Sequence, residues 1–191
     1  MKTIDCRGMV CPKPVILAKK EIEAIDSGDI TAIVDNDIAK QNMLKLAQSM
    51  TCVAKVEEKD GLFYVTITKN AGCSVMDLGN KNLVIFVGND KLGLGDDKLG
   101  TALMKSYMFA LSESNILPHT MLFVNGGVKL TTNESEVLES LNKLQEKGVE
   151  IMSCGTCLDF YNLKEKLMVG SITNMYSIVE KMNNALNTIK L

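Results

Sequence analysis

Asp5-Cys6-Arg7-Gly8-Met9-Val10-Cys11-Pro12-Lys13-Pro14 is the stretch that decides how the N-terminal fold begins. After Cys11 the apolar residues Val15, Ala18, Ile22 and Ile25 recur at spacings of three and four. Lys13, Lys19, Lys20, Glu21 and Glu23 fall largely between them. That period predicts an amphipathic helix over about 12–26. Proline is tolerated in a first helical turn, where the amides have no intrahelical partner. Pro12 and Pro14 therefore fix the start of the helix and are expected to place Cys11 at its N-cap. The positive end of a helix favours an anion, and Lys13 adds a formal charge. Such settings lower a cysteine pKa from ~8.5 toward ~3.5–7.5, which makes a thiolate available near neutrality. A buried cysteine that merely caps the helix is the plainer alternative. Arg7 is the only arginine among 21 basic residues. Its rigid fork of donors suits anions, so it is expected either to orient Asp5 or to help hold the sulfur anion, with an ordinary surface ion pair as the alternative.

Working outward, residues 2–6 read as a short strand and Ile30 to Asp35 as a second. A helix over about 37–50 puts Met43, Leu46, Ala47 and Met50 on one face. Cys52 to Glu57 and Leu62 to Thr68 read as paired strands joined at Lys59-Asp60-Gly61, where glycine accepts the positive φ of a tight hairpin. The resulting β-α-β-α-β-β order predicts a small two-layer sandwich over 1–69, with both helices on one face of the sheet. Residues 70–81 read as a linker that contains Cys73.

From 82 to 191 the pattern changes. Leu83–Val87, Met121–Val124 and Val149–Met152 are short continuous apolar runs, the mark of buried parallel strands. Helices are expected at about 96–114, 134–147, 156–168 and 174–187. Alternation of this kind predicts a mostly parallel sheet with helices on both faces. Ligands of such sheets bind beyond the carboxyl ends of the strands. Three loops leave those ends: Gly88–Gly95, Asn125-Gly126-Gly127 and Ser153–Cys157. The first resembles a phosphate loop but closes on Asp96 and Asp97 instead of Lys-Ser/Thr. Asp96 reads better as a helix N-cap. Cys154-Gly155-Thr156-Cys157 admits a dithiol pair, a zinc site completed by Cys6 and Cys11 if the domains close, a sulfur acceptor with a resolving thiol, or simple packing. His119 is the only histidine and reads as structural, which argues against a cysteine–histidine hydrolase.

Composition narrows the classes further. The net charge is −2, with ten basic and ten acidic residues in 1–69 and eleven and thirteen in 70–191. No basic run alternates with aromatics, so direct nucleic-acid binding is not expected. Apolar content of 46% supports a real core without staples. Met1 to Asp5 does not read as a secretory leader, and no apolar run reaches the ~18 residues of a membrane helix. A cytoplasmic protein with its six cysteines mostly reduced is expected.

The pattern Asp-x-Arg-Gly-x-x-Cys-Pro-x-Pro resembles the signature of TusA (SirA-like) sulfur carriers. That resemblance implies that Cys11 carries a persulfide and hands it on, with Asp5, Arg7, Pro12, Lys13 and Pro14 supporting it. Residues 82–191 resemble the DsrE/DsrF-like fold, whose members also relay sulfur through cysteines, and Cys154 and Cys157 are the matching candidates. The fusion resembles the YedF proteins, which implies a link to selenium metabolism. The expected partners are a cysteine desulfurase or another sulfur or selenium donor, an acceptor protein thiol, and further copies of the chain through the second domain. The expected chemistry is that of a sulfurtransferase-like carrier with no metal and no organic cofactor, only a transient cysteine persulfide. A non-catalytic oligomeric adaptor and a Cys154/Cys157 redox switch are the rival expectations.

Overall fold

A computed structural model describes residues 2–10, 12–70 and 82–191. Cys11, Cys73 and most of the expected linker lie outside the described residues. The chain divides into two compact units, within Met1–Asp77 and Leu78–Leu191.

The first unit runs β1 (Lys2–Asp5), α1 (Lys13–Glu23), β2 (Gly28–Val34), α2 (Asp37–Ser49), β3 (Val53–Lys59) and β4 (Leu62–Lys69). Its sheet has the order β1-β2-β4-β3. The β1–β2 pair is parallel, as a crossover through a helix requires, and the other two pairs are antiparallel. Ile30, Ala32 and Val34 alternate along β2 and meet Val65 and Ile67 of β4 on the covered face. Against them lie Ala18 and Ile22 of α1 and Met43, Leu46 and Ala47 of α2. On the other face the hydroxyls of Thr31 and Thr66 sit 2.9 Å apart across the strands. The β3–β4 turn is the two-residue kind that matches strand twist, with φ of 53° at Asp60 and 73° at Gly61. Lys69 closes the other end of α1, donating to the carbonyls of Ile22 at 3.1 Å and Ile25 at 2.7 Å, where a cation suits the helix C-terminus.

The second unit runs β5 (Leu83–Val87), α3 (Asp97–Ser112), β6 (Thr120–Phe123), α4 (Leu138–Glu146), β7 (Glu150–Cys154), α5 (Gly155–Phe160), β8 (Ser171–Thr173), α6 (Met175–Asn183) and β9 (Asn187–Lys190). All pairings in its five-stranded sheet, ordered β8-β7-β6-β5-β9, are parallel. Crossovers in such sheets are right-handed. The chain steps from β5 through β6 and β7 to β8 in one direction, then returns to β9 at the opposite edge. That reversal puts α6 on the face opposite α3 and α4, so helices cover both faces. Asp96 caps α3 as expected, accepting from the Leu99 N–H at 2.9 Å.

Three details differ from the sequence reading. Asn125–Thr131 is a 3-10 helix rather than an open loop. The segment read as one helix over 156–168 is α5 followed by a separate 3-10 turn at Lys164–Lys166. The segment read as helix to 187 stops at Asn183, and its tail becomes the edge strand β9.

Candidate functional site

In the first unit the start of the loop from β1 to α1 is held by two carboxylates. The Arg7 guanidinium donates to both oxygens of Asp5, Nε at 2.9 Å and Nη2 at 2.6 Å, and the Arg7 backbone N–H adds a third bond at 3.1 Å. These bonds pull the Asp5 pKa down to about 2. Arg7 therefore orients Asp5, one of its two expected roles. Gly8 turns the chain at a φ of 68°, a region that favours glycine. Its N–H donates to the Asp35 carboxylate at 2.6 Å. That bond and a second from the Asn36 amide at 2.8 Å hold the Asp35 pKa below the usual carboxylate range. Sequence reasoning passed over Asp35, an exposed acid 27 positions from its partner at the end of β2.

The helix cap is shifted from the expected position. Pro12, not Cys11, is the cap residue of α1, with φ −96° and ψ 8°. Its carbonyl already accepts the Ile16 N–H at 3.2 Å, as an N-cap carbonyl does. Lys13 begins the helix with its side chain exposed, and Pro14 is buried beneath it. Cys11 stands immediately before this cap in sequence and lies outside the described residues. A hollow of about 310 Å³ adjoins the same loop, lined by Met9, Val10, Pro14 and Val15 from one side and Ile38 and Ala39 from the other. Cys6 is not part of any reactive surface. It is 1% exposed, and burial followed by the charge of Asp5 pushes its thiol pKa up.

In the second unit the three strand-end loops converge. Gly127 packs so tightly on β5 that a Cβ there would lie 2.1 Å from the Val87 carbonyl oxygen. This contact brings the 3-10 helix against the end of β5 and sets Asn125 over α5. Asn125 takes a φ of 51°, and its N–H donates to Cys157 Sγ at 3.1 Å. The Asn125 side-chain oxygen accepts from the Tyr161 hydroxyl at 2.9 Å. Cys154 ends β7 at 2% exposure, in the core. Cys157 lies one turn along α5, half-buried, with Cys154 its neighbour at the start of that turn. Burial first, then the neighbouring Cys154 thiol, raises the Cys157 pKa, and the Asn125 N–H opposes the rise.

Tyr161 also forms one wall of a cleft of about 410 Å³ that holds Lys105, Lys129, Asp90 and Glu136. Lys129 sits 5.1 Å from the Tyr161 ring centre and 3.4 Å from Asp90. His119 lies at the opposite edge of the sheet, with Nδ1 2.9 Å from the Thr120 hydroxyl, which donates to Glu150 at 3.0 Å. That polar chain satisfies a buried threonine. Cys6, Cys52, Cys154 and Cys157 are all outside disulfides. Among the described residues no cluster of three or more histidine, cysteine or acidic side chains could hold a metal ion. No described helix is long and apolar enough to cross a membrane.

A small βα sandwich with a clamped Asp-x-Arg-Gly loop before a proline-started helix is followed by a parallel α/β unit with a cysteine pair at its carboxyl edge, a two-unit α/β protein. Residues 2–69 match the family model for Sulfurtransferase TusA, and residues 101–191 match the DsrE/DsrF-like family. A putative sulfur carrier protein of Archaeoglobus fulgidus is 35% identical over 74 residues, covering 36% of this chain and 96% of its own length. The chain belongs to the TusA sulfur-carrier family through its first domain and carries a DsrE/DsrF-like second half. A SirA-like protein of Desulfitobacterium hafniense is 46% identical, covering 36% of this chain and 96% of its own, at a TM-score of 0.35. The ychN protein of E. coli is 16% identical, covering 58% of this chain and 99% of its own, at a TM-score of 0.44. Membership in a carrier family places the chain in sulfur relay, with a sulfur donor before it and an acceptor after it.

Proposed function

We propose that this chain is a cytoplasmic persulfide carrier in which Cys11 accepts a sulfane sulfur atom and passes it to a partner thiol or to the Cys154/Cys157 pair. The observation that carries the reading is the ordered backbone that flanks Cys11 in sequence. A bidentate Asp5–Arg7 pair and a Gly8–Asp35 bond fix the loop on one side, and a helix that opens at Pro12 fixes the other. Cys11 directly precedes Pro12 in sequence, and charge on a sulfur next to a helix N-terminus is stabilised.

The reaction is thiol–persulfide exchange. The Cys11 thiolate attacks the outer sulfur of a donor persulfide, such as that of a cysteine desulfurase. The donor thiolate leaves and the outer atom stays on Cys11. The reverse attack, by an acceptor thiolate on the outer atom, completes the transfer. Neither step needs a metal or an organic cofactor. The order of the two domains fits a YedF-like protein, and selenium follows the same exchange, so the cargo class is a sulfane sulfur or selenium atom. Exposed Met175, Tyr176 and Val179 on α6 support self-association through the second unit.

Incubation with a cysteine desulfurase and cysteine, followed by intact mass measurement, tests this. The wild type gains one sulfur atom and Cys11→Ser does not. A gain that persists in Cys11→Ser removes Cys11 from the role.

A further inference from the structure

A station that only relays sulfur needs one thiol, and the second unit has two, one helical turn apart. We propose that the Cys154/Cys157 pair discharges the carried atom reductively: Cys157 takes the sulfane sulfur, and Cys154 displaces it as hydrosulfide by forming a disulfide with Cys157. This rests on the reading of the pair as a sulfur station and goes beyond it by naming the product and the role of each thiol.

The geometry separates the two roles. Cys157 is the reachable sulfur, half-buried at the carboxyl edge of the sheet with the Asn125 N–H pointed at it. That donor stabilises negative charge on Cys157 Sγ as it attacks the incoming sulfane sulfur. Cys154 is 2% exposed and sits behind it, at the end of β7 and paired with Thr173 of β8. Cys154, buried in the core, is closed to a bulky donor protein, whereas Cys157 is partly exposed. Gly155 permits this burial. A Cβ there would meet Ile172 Cγ2 at 3.0 Å, so glycine lets β8 close over the strand end. Residues three apart in a first helical turn have Cα atoms ~5 Å apart. That lies inside the ~4.4–6.8 Å a disulfide spans, so the pair can close without moving the backbone far.

The step balances. Cys157–S–SH and the Cys154 thiol give the Cys154–Cys157 disulfide, HS⁻ and a proton. The Cys154 sulfur bonds to Cys157 Sγ, and the bond from Sγ to the outer sulfur breaks. The outer atom leaves with the electron pair, reduced by two electrons, and the two cysteines are oxidised together. A dithiol reductant then returns the pair to its thiol form and becomes a disulfide itself. Without that reductant each chain releases one atom and stops.

The test uses the full chain carrying Cys11→Ser, so that its outcome does not depend on the carrier reading. The protein is charged with inorganic polysulfide, desalted and followed without reductant. Trapping of sulfide with a bimane and peptide mass measurement are the two readouts. The expected result is release of about one sulfide per chain together with loss of two hydrogens across Cys154 and Cys157. With Cys154→Ser or Cys154→Ala added, Cys157 keeps the extra sulfur and release falls at least tenfold. With Cys157→Ser added, neither thiol charges. An unchanged circular dichroism spectrum and urea midpoint show that the Cys154 variants are folded. Undiminished release in both Cys154 variants overturns the proposal, as does charging of Cys154 in place of Cys157, or failure of Cys157 to charge in every form. The carrier reading fails separately, when a desulfurase does not charge Cys11 in the wild type.

Discussion

The Asn125 backbone N–H donates to Cys157 Sγ at 3.1 Å, and it does so from a left-handed residue. A non-glycine residue in that region costs of order 1–3 kcal/mol and persists only where its surroundings over-determine it. Here the surroundings are Gly127 against the Val87 carbonyl and the Tyr161 hydroxyl on the Asn125 side chain.

Alkylation of Cys157 should track this balance. Burial and Cys154 raise its pKa above the ordinary thiol value, so its reactive thiolate fraction keeps rising through the alkaline range. The iodoacetamide rate at Cys157, followed by peptide mass, should still be climbing at pH 9. Cys154→Ala removes one cause of the rise and should move the profile to lower pH. A plateau well below the ordinary thiol range would contradict the arrangement.

Gly127→Ala should act at a distance on the same sulfur. Its Cβ meets a carbonyl oxygen it cannot approach, so the 3-10 helix must shift. Overpacking of this kind costs roughly 1–3 kcal/mol. Urea denaturation should show that loss, and the Cys157 alkylation rate should change with it because the Asn125 N–H moves. An unchanged rate would separate Asn125 from Cys157.

Asp5 should titrate at about 2 instead of the ordinary 3.8, read from its carboxyl carbon by NMR. Arg7→Ala should return it toward 3.8. A depressed folded pKa gives stability that is present above the unfolded value and lost as pH falls from there through about 2. Both groups are exposed, so added salt should weaken the effect. A titration near the ordinary value in the wild type would remove the clamp.

Gly8→Ala should cost about 1–2 kcal/mol, the penalty of a left-handed turn for a residue with a Cβ. Open space surrounds the position, so the loss comes from backbone conformation alone. Asp35→Ala, which leaves the Gly8 N–H without its acceptor, should likewise slow charging of Cys11 by a desulfurase. A normal charging rate in both variants would mean that the loop frame does not position the thiol.

The architecture was legible wherever a core face repeats. Ile30, Ala32 and Val34, the apolar run at 83–87 and the Asp60-Gly61 turn each carry their structure in local pattern. What escaped depends on partners distant in sequence. β8 has three residues, and β9 is an exposed edge whose register comes from β5, so neither has an apolar period of its own. Asp35 gains its role only because parallel pairing of β1 and β2 brings Gly8 to it. The cysteine pair was visible as Cys-x-x-Cys, but the inequality of its members was not. Only the sheet shows that Cys154 ends a buried strand while Cys157 rides on the helix above.

The central claim is that Cys11 holds the travelling atom, and peptide mapping of desulfurase-charged protein reaches it most directly. The account predicts that the extra sulfur is found first on the peptide containing Cys11, and that Cys11→Ser leaves every peptide uncharged by the desulfurase. Charge found first on Cys157, undiminished in Cys11→Ser, would contradict it.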